Sequence, residues 1–404
     1  MTLGKWRSCL CAAALILPTW AAAQQQTGPL RIGVLTDING PFVDIVGENA
    51  VEAARMAAED FGGTVLGRKI EIIGGDHQNK PDIGASIARR WYDTEQVEVI
   101  LDVPVSSVAL AVQSIAREKK KIVLFSSGLS DRLSNEDCSP YSAQWMLDTN
   151  VLARGTVKSI LENGGDSWFF LTADYAFGHS MEAISKKLIT EGGGRFVGSV
   201  RNPLGSTDMS SFLLQAQASK AKVIGIANVG QDFTNAVIGA SQFGITAGGQ
   251  KLASLIVYDS DIRALGLDVA QGLLLTTAYY WDLDDRTREF AKRFYDRRKT
   301  MPNMIHASIY SSATHYLKAV QATGGTDPDK VMAWMRANPV DDAFARGAKI
   351  RPDGLLQHDM FLMEVKKPSE STSKWDILKL VRRIPADQAY APLAESRCPA
   401  LKRN

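Results

Sequence analysis

Along the first third of the chain, short apolar runs rich in branched residues alternate with segments whose apolar residues recur every three or four positions. The runs that predict buried strands span residues 30–35, 69–73, 97–101 and 121–125. The alanine-rich segment 50–61 predicts a helix, and further helices begin at Asp82 and at Ser106 or Ser107, which we expect to be N-caps. This alternation predicts a parallel sheet with helices on both faces.

The same alternation resumes after an irregular stretch at residues 126–141. Helices are predicted at residues 149–162, 180–190, 207–219 and 233–243, and strands at residues 168–171, 196–200, 222–227, 252–257 and 272–277. Thr207 or Asp208 is the expected N-cap of the third helix. Further helices are predicted near residues 285–298, 306–322 and 328–337, and Asp353-Gly354 predicts a hairpin turn. The chain therefore reads as an α/β protein with two doubly wound parallel-sheet lobes.

The first 23 residues have the pattern of a secretory signal peptide. Lys5 and Arg7 precede an apolar run, and Ala21-Ala22-Ala23 supplies a cleavage pattern of small residues. A retained membrane anchor and a lipoprotein attached through Cys11 are the alternatives. No later segment reaches about 18 apolar residues, so we expect a soluble mature protein that begins near Gln24.

Charge and cysteine content agree with export. The 46 basic and 44 acidic residues become equal in number when the leader is removed, so nothing indicates a nucleic-acid partner. Cys138 and Cys398 are the cysteines that remain, and an even pair in an oxidising compartment predicts a disulfide, with two free thiols as the alternative.

Candidate chemistry lies after the predicted strands, because open parallel sheets bind ligands at the carboxyl ends of their strands. Two first-lobe loops enter helix N-termini through Ser106-Ser107 and Leu129-Ser130. Hydroxyls and free N–H groups at such positions favour a carboxylate, although ordinary N-capping explains them equally well.

In the order and spacing of several motifs, the chain resembles substrate-binding proteins of ABC transporters. The resemblance is to the branched-chain amino acid type of these proteins. The residues that carry the likeness are Ile32-Gly33-Val34, Gly40-Pro41, Gly47, Ser106-Ser107-Val108-Ala109, Ser126 to Ser130, Tyr175 to Gly178 and Gly272-Leu273-Leu274. The resemblance implies a type I periplasmic binding fold whose lobes are joined by three strands and close by hinge bending. It divides the chain into lobe 1, residues 24–147 plus about 278–362, and lobe 2, residues 148–277 plus about 363–404.

The resemblance also implies a ligand site between the lobes. Ser106 or Ser107, together with Leu129 and Ser130, would hold a carboxylate, and Tyr175 or Phe177 would contact the rest of the ligand. Val46 stands where the family has an aromatic residue. The predicted ligand-binding residues are Phe42, Val46, Ser106, Ser107, Leu129, Ser130, Tyr175, Phe177, Asn228, Tyr258 and Asp259.

The ligand class depends on two second-lobe carboxylates. If Asp232 or Asp259 faces the cleft, an ammonium group has a partner. If both cap helices, the aromatic residues, with Trp281 as a further candidate, suit a flat aromatic acid. Small carboxylates, aromatic ones included, therefore rank level with apolar amino acids and above sugars.

The predicted protein is a periplasmic monomer without a cofactor or metal that delivers its ligand to ABC permease subunits. A sensory binding subunit is the main alternative. A secreted α/β enzyme is less favoured, since no nucleotide-binding or zinc-protease motif is present in the sequence.

Overall fold

The computed structural model describes residues 1–2 and 28–403, so nearly all of the predicted leader lies outside the described residues. The first elements are β1 (Leu30–Thr36), α1 (Gly47–Asp60), β2 (Thr64–Val65), β3 (Arg68–Asp76), α2 (Pro81–Asp93), β4 (Val97–Asp102), α3 (Ser106–Lys119), β5 (Ile122–Phe125) and β6 (Ser142–Gln144). They form a six-stranded sheet in the order β2-β3-β1-β4-β5-β6. Its strands run parallel except for the short β2, as the buried apolar runs predicted.

A second parallel sheet follows. Its elements are α4 (Thr149–Glu162), β7 (Ser167–Ala173), α5 (Ala176–Glu191), β8 (Arg195–Asn202), α6 (Ser210–Ala218), β9 (Val223–Ala227), α7 (Gln231–Gln242), β10 (Lys251–Ser254), α8 (Asp259–Leu265) and α9 (Leu267–Ala270). The four strands pair in the order β10-β9-β7-β8. The two predicted parallel sheets are therefore confirmed.

The last part of the chain holds an antiparallel sheet that the sequence pattern did not predict. Its elements are β11 (Leu274–Thr277), α10 (Asp285–Arg298), α11 (Met304–Thr323), α12 (Pro328–Ala337), β12 (Lys349–Ile350), β13 (Leu356–Gln357), β14 (Met360–Val365), β15 (Leu378–Ile384) and α13 (Ala386–Ala389). Strands β11, β14 and β15 pair antiparallel, and β12 and β13 form the hairpin predicted at Asp353-Gly354.

Helix α11 and the C-terminal tail both pack on the first lobe. Asn303 caps α11 and donates from Nδ2 to the backbone oxygen of Ile45 at 2.8 Å. The predicted disulfide is confirmed, because Cys138 and Cys398 are bonded. The resemblance assigns residues 363–404 to lobe 2, but the disulfide ties the end of this segment to Cys138, a first-lobe residue. The lobe boundaries themselves remain a prediction.

Several predicted N-caps are wrong, because capping depends on backbone angles that the sequence does not specify. Val105, not Ser106 or Ser107, precedes α3, and Ser106 is already inside the helix. Lys80 precedes α2, so Asp82 falls in its first turn. Met209 precedes α6, but the Asp208 carboxylate accepts from the backbone N–H of Ser210 at 2.9 Å, so Asp208 does bond the start of this helix, as predicted. No helix within the described residues is both long and apolar enough to cross a membrane.

Candidate ligand-binding site

A pocket lies where strand-end loops of the two sheets meet. The first lobe supplies the loops after β1, β4 and β5 and the start of α11, and the second lobe supplies the loops after β7, β9 and β10. The lining residues are Phe42, Ile45, Val46, Pro104, Val105, Ser106, Ser127, Leu129, Tyr175, Phe177, Val229, Tyr258 and Ile305.

The structure brings most of the predicted site residues to this pocket. Those on its wall are Phe42, Val46, Ser106, Leu129, Tyr175, Phe177 and Tyr258. Ser107, Ser130, Asn228 and Asp259 are not on the wall. Asn228 donates from Nδ2 to the backbone oxygen of Leu171, which holds it within the second lobe. Ser127 and Val229 also line the pocket, and both follow predicted strands. The resemblance to the family did not include them among the predicted ligand-binding residues.

The polar end of the pocket is built around the first turn of α3. The Oγ atom of Ser106 accepts from the backbone N–H of Leu129 at 3.3 Å and from that of Ser130 at 3.0 Å. Because these bonds use its lone pairs, the Ser106 hydroxyl proton remains available to a ligand. The adjoining helix N-terminus, with its unpaired N–H groups and positive dipole end, also favours an anion.

The loop that leads into α3 has a strained backbone. Asp102, Val103 and Val105 have φ angles of 78°, 58° and 65°, in the left-handed region that residues with a Cβ avoid. Each such residue costs about 1–3 kcal/mol, and such strain clusters at ligand sites. The unusual path brings Pro104 and Val105 onto the pocket wall.

Behind the polar end lies the fully buried carboxyl group of Asp102. The Ser127 hydroxyl donates to its Oδ1 atom, and Ser127 is on the pocket wall. Burial raises the pKa of Asp102 to about 7, although the nearby hydroxyl groups of Ser127 and Thr36 act in the opposite direction.

Aromatic residues form the second-lobe wall. The rings of Tyr175 and Phe177 lie 5.8 Å apart at an angle of 31°, and Tyr258 completes this side. Burial raises the pKa of both tyrosines above its usual value, so their hydroxyls stay neutral and can form hydrogen bonds. This surface suits a flat apolar ligand body.

The two aspartates considered for an ammonium group do not line the pocket. Asp232 accepts from the backbone N–H of Gly205 at 3.0 Å, and Asp259 is the first residue of α8. Trp281 is also absent from the wall and donates to the backbone oxygen of Trp375 at 2.9 Å. Among the lining residues, all in the described part of the chain, none carries a charged side chain.

The two lobes touch at both ends of the cleft. A Cβ atom on Gly230 of the second lobe would lie 3.1 Å from Ile45 Cδ1 and 3.3 Å from the Pro41 oxygen. At the other end, the Ser180 hydroxyl donates to Asp131 Oδ1, and Arg397 of the C-terminal tail donates to Asp131 Oδ2 at 2.8 Å. The pocket therefore lies between lobes that are in direct contact.

Known proteins share this fold. The periplasmic binding protein family matches residues 29–372. A periplasmic binding protein from Burkholderia mallei is 46% identical, with a TM-score of 0.90 over 92% of this chain and 99% of that chain. A branched chain amino acid ABC transporter periplasmic ligand-binding protein from Burkholderia xenovorans is 38% identical, with a TM-score of 0.81 over 92% and 99%. An ABC transporter solute binding protein from R. palustris, in complex with 4-hydroxybenzoate, is 22% identical, with a TM-score of 0.81 over 91% and 100%.

Proposed function

The chain belongs to the periplasmic binding protein family, as its motifs predicted, and we propose that it captures a small aromatic carboxylate between its lobes for delivery to an ABC importer. The observation that carries the ligand class is the composition of the pocket wall. Hydroxyls and a helix N-terminus at one end suit a carboxylate, whereas aromatic and aliphatic side chains make up the rest.

An amino acid fits this wall less well. Its ammonium group would leave water for a pocket whose lining residues provide no carboxylate. A buried charge without a partner costs several kcal/mol, so leucine and phenylalanine should bind much more weakly than an acid without an amino group. The R. palustris protein of the same fold was solved with 4-hydroxybenzoate, which supports the capacity of this fold for such a ligand.

The proposed setting is the periplasm, with the permease subunits of an importer as partners and no chemical turnover of the ligand. The leader pattern of residues 1–23 and the family support this location. We expect a monomer. A purified protein that left its ligand chemically unchanged would agree with transport, and one that consumed it would contradict this proposal.

Calorimetric titration with benzoate, 4-hydroxybenzoate, leucine and phenylalanine tests the ligand class. We expect at least one of the two benzoates to bind at least a hundredfold more tightly than either amino acid, and small-angle scattering of the complex to show the compact, closed form. Tight binding of leucine with no binding of either benzoate would contradict the proposal.

A further inference from the structure

Asp102 is a buried acid that touches the pocket through a single hydroxyl group. It ends β4 and is 0% exposed. Its Oδ1 atom accepts from Ser127, whereas its Oδ2 atom is buried without a hydrogen-bond partner among the described residues. Since buried carboxylates are normally paired or fully hydrogen-bonded, this arrangement calls for a specific explanation.

No positive charge is among the groups that act on Asp102 in the described structure. Thr36 at the end of β1 and Ser127 after β5 provide hydroxyls, and Asp37 adds a second negative charge. From the second lobe, the hydroxyl of Tyr258 lies close enough for the Asp102 charge to raise its pKa. An anion that enters the pocket therefore approaches a negative charge that no neighbouring cation neutralises.

The Ser127 hydroxyl has one proton, and this proton already points at Asp102. While Asp102 is ionised, Ser127 can present only lone pairs to the pocket, and these repel a carboxylate. If Asp102 carries a proton, it can donate to Ser127 Oγ, and Ser127 can then turn its own proton towards the ligand. One proton added at Asp102 thus converts the Ser127 hydroxyl on the pocket wall from a hydrogen-bond acceptor to a donor towards the ligand.

We propose that a carboxylate ligand binds together with one proton from solvent, and that Asp102 holds this proton while Ser127 donates to the ligand. This inference rests on the proposed function, because it requires an anionic ligand. No covalent bond forms or breaks, and the bound complex has one proton more than its separate parts. Asp102 acts through Ser127 and is therefore a positioning residue.

The affinity of the protein for a carboxylate ligand should change near neutral pH, since burial raises the pKa of Asp102 in the free protein to about 7. Below that pH, Asp102 is already protonated, so binding needs no further proton and affinity is constant. Above it, each pH unit should raise the Kd about tenfold, because a proton must be taken up against its falling concentration.

The decisive experiment is calorimetric titration of the full mature chain with benzoate and 4-hydroxybenzoate at pH 8, in two buffers of different ionisation enthalpy. The dependence of the observed heat on the buffer gives the number of protons taken up. We expect about one proton for the wild type and none for Asp102→Asn, whose amide can donate permanently to Ser127. The Kd of Asp102→Asn should stay constant between pH 6 and 8.

Asp148→Asn is the matched control. Asp148 is also a buried acid, whose pKa burial raises to about 6, but it caps α4 away from the pocket and asparagine can keep that cap. This variant should take up the same number of protons as the wild type. If Asp102→Asn fails to fold, the carboxyl carbon-13 resonance of Asp102 in the wild type provides the second measurement, and ligand at pH 8 should shift it to the protonated position.

Binding of a benzoate at pH 8 without proton uptake, or with uptake that survives in Asp102→Asn, would overturn this inference and leave the proposed function intact. No binding of either benzoate from pH 6 to pH 8 would overturn the proposed ligand class, and this inference with it.

Discussion

Closure of the two lobes should depend on the absence of a side chain at Gly230. This residue precedes α7 with φ 62° and ψ −132°, and its Cα faces the loop after β1. The Cβ of an alanine would lie 3.1 Å from Ile45 Cδ1, 3.3 Å from the Pro41 oxygen and 3.4 Å from Phe42 Cδ1. These atoms belong to the opposite lobe, so the clash arises only when the lobes meet.

The size of the effect follows from the overlap. Carbon atoms attract best at about 3.5–4.0 Å, so a contact at 3.1 Å is already repulsive. Overpacking of this kind costs about 1–3 kcal/mol, and each 1.4 kcal/mol is a factor of about ten in affinity. Gly230→Ala should therefore raise the Kd for the ligand by roughly 5- to 140-fold.

Gly244 provides the control at the other end of the same helix. Its φ of 65° is also positive, but no atom lies within 4 Å of the added Cβ. Calorimetry gives the Kd of both variants, and small-angle scattering at saturating ligand gives the closed fraction. If Gly230→Ala binds 4-hydroxybenzoate as tightly as Gly244→Ala does, the lobes do not meet at Gly230 in the complex and the reasoning is wrong.

Two further predictions concern the polar end and the tail. Ser106→Ala should weaken binding at least tenfold and lower the unfolding temperature, because a hydrogen bond to a charged group contributes about 1.5–3 kcal/mol and two backbone N–H groups lose their acceptor. Ser107→Ala, one residue outside the pocket, should change the Kd less than twofold; equal effects in calorimetry would contradict this. Replacing both Cys138 and Cys398 by alanine opens a link across 260 residues and should lower the free energy of unfolding by up to about 5 kcal/mol, measured by urea titration. An unchanged urea midpoint would show that the tail adds no stability.

Periodicity predicted the elements well where one face of an element is apolar. The predicted bounds of Thr149–Glu162, Asp285–Arg298 and Pro328–Ala337 agree with those observed. The antiparallel strands β14 and β15 were not predicted, because buried and exposed residues are mixed along them. Leu380 and Val381 of β15, for example, are exposed. Sequence alternation reports a buried face, and a strand whose apolar residues face solvent gives no such signal.

The site was predicted well on its apolar side and less well on its polar side. The resemblance placed Tyr175 and Phe177 at the site, and Tyr258 follows a predicted strand; all three line the pocket. Serine and aspartate, in contrast, use the same side-chain atoms to cap helices, to hold loops in place and to bind ligands, so the sequence does not distinguish these roles. Ser130 was expected to hold the ligand, yet its backbone N–H donates to Ser106 and its side chain lies off the pocket wall.

The ligand preference of the pocket is a property of neighbouring strands together. Ser127 by itself offers both a donor and an acceptor, and what it shows to a ligand is decided by Asp102, 25 residues earlier in the chain. The strands that carry them, β4 and β5, are adjacent in the sheet, so the loops at their carboxyl ends bring the two side chains together. Asp232 is bonded differently: its Oδ2 atom accepts from the backbone N–H of Gly205 in the loop after β8, a strand that β7 separates from β9. At this end of the pocket, Ser127 after β5 meets the ligand, and Asp102 on the neighbouring strand sets which charge Ser127 favours.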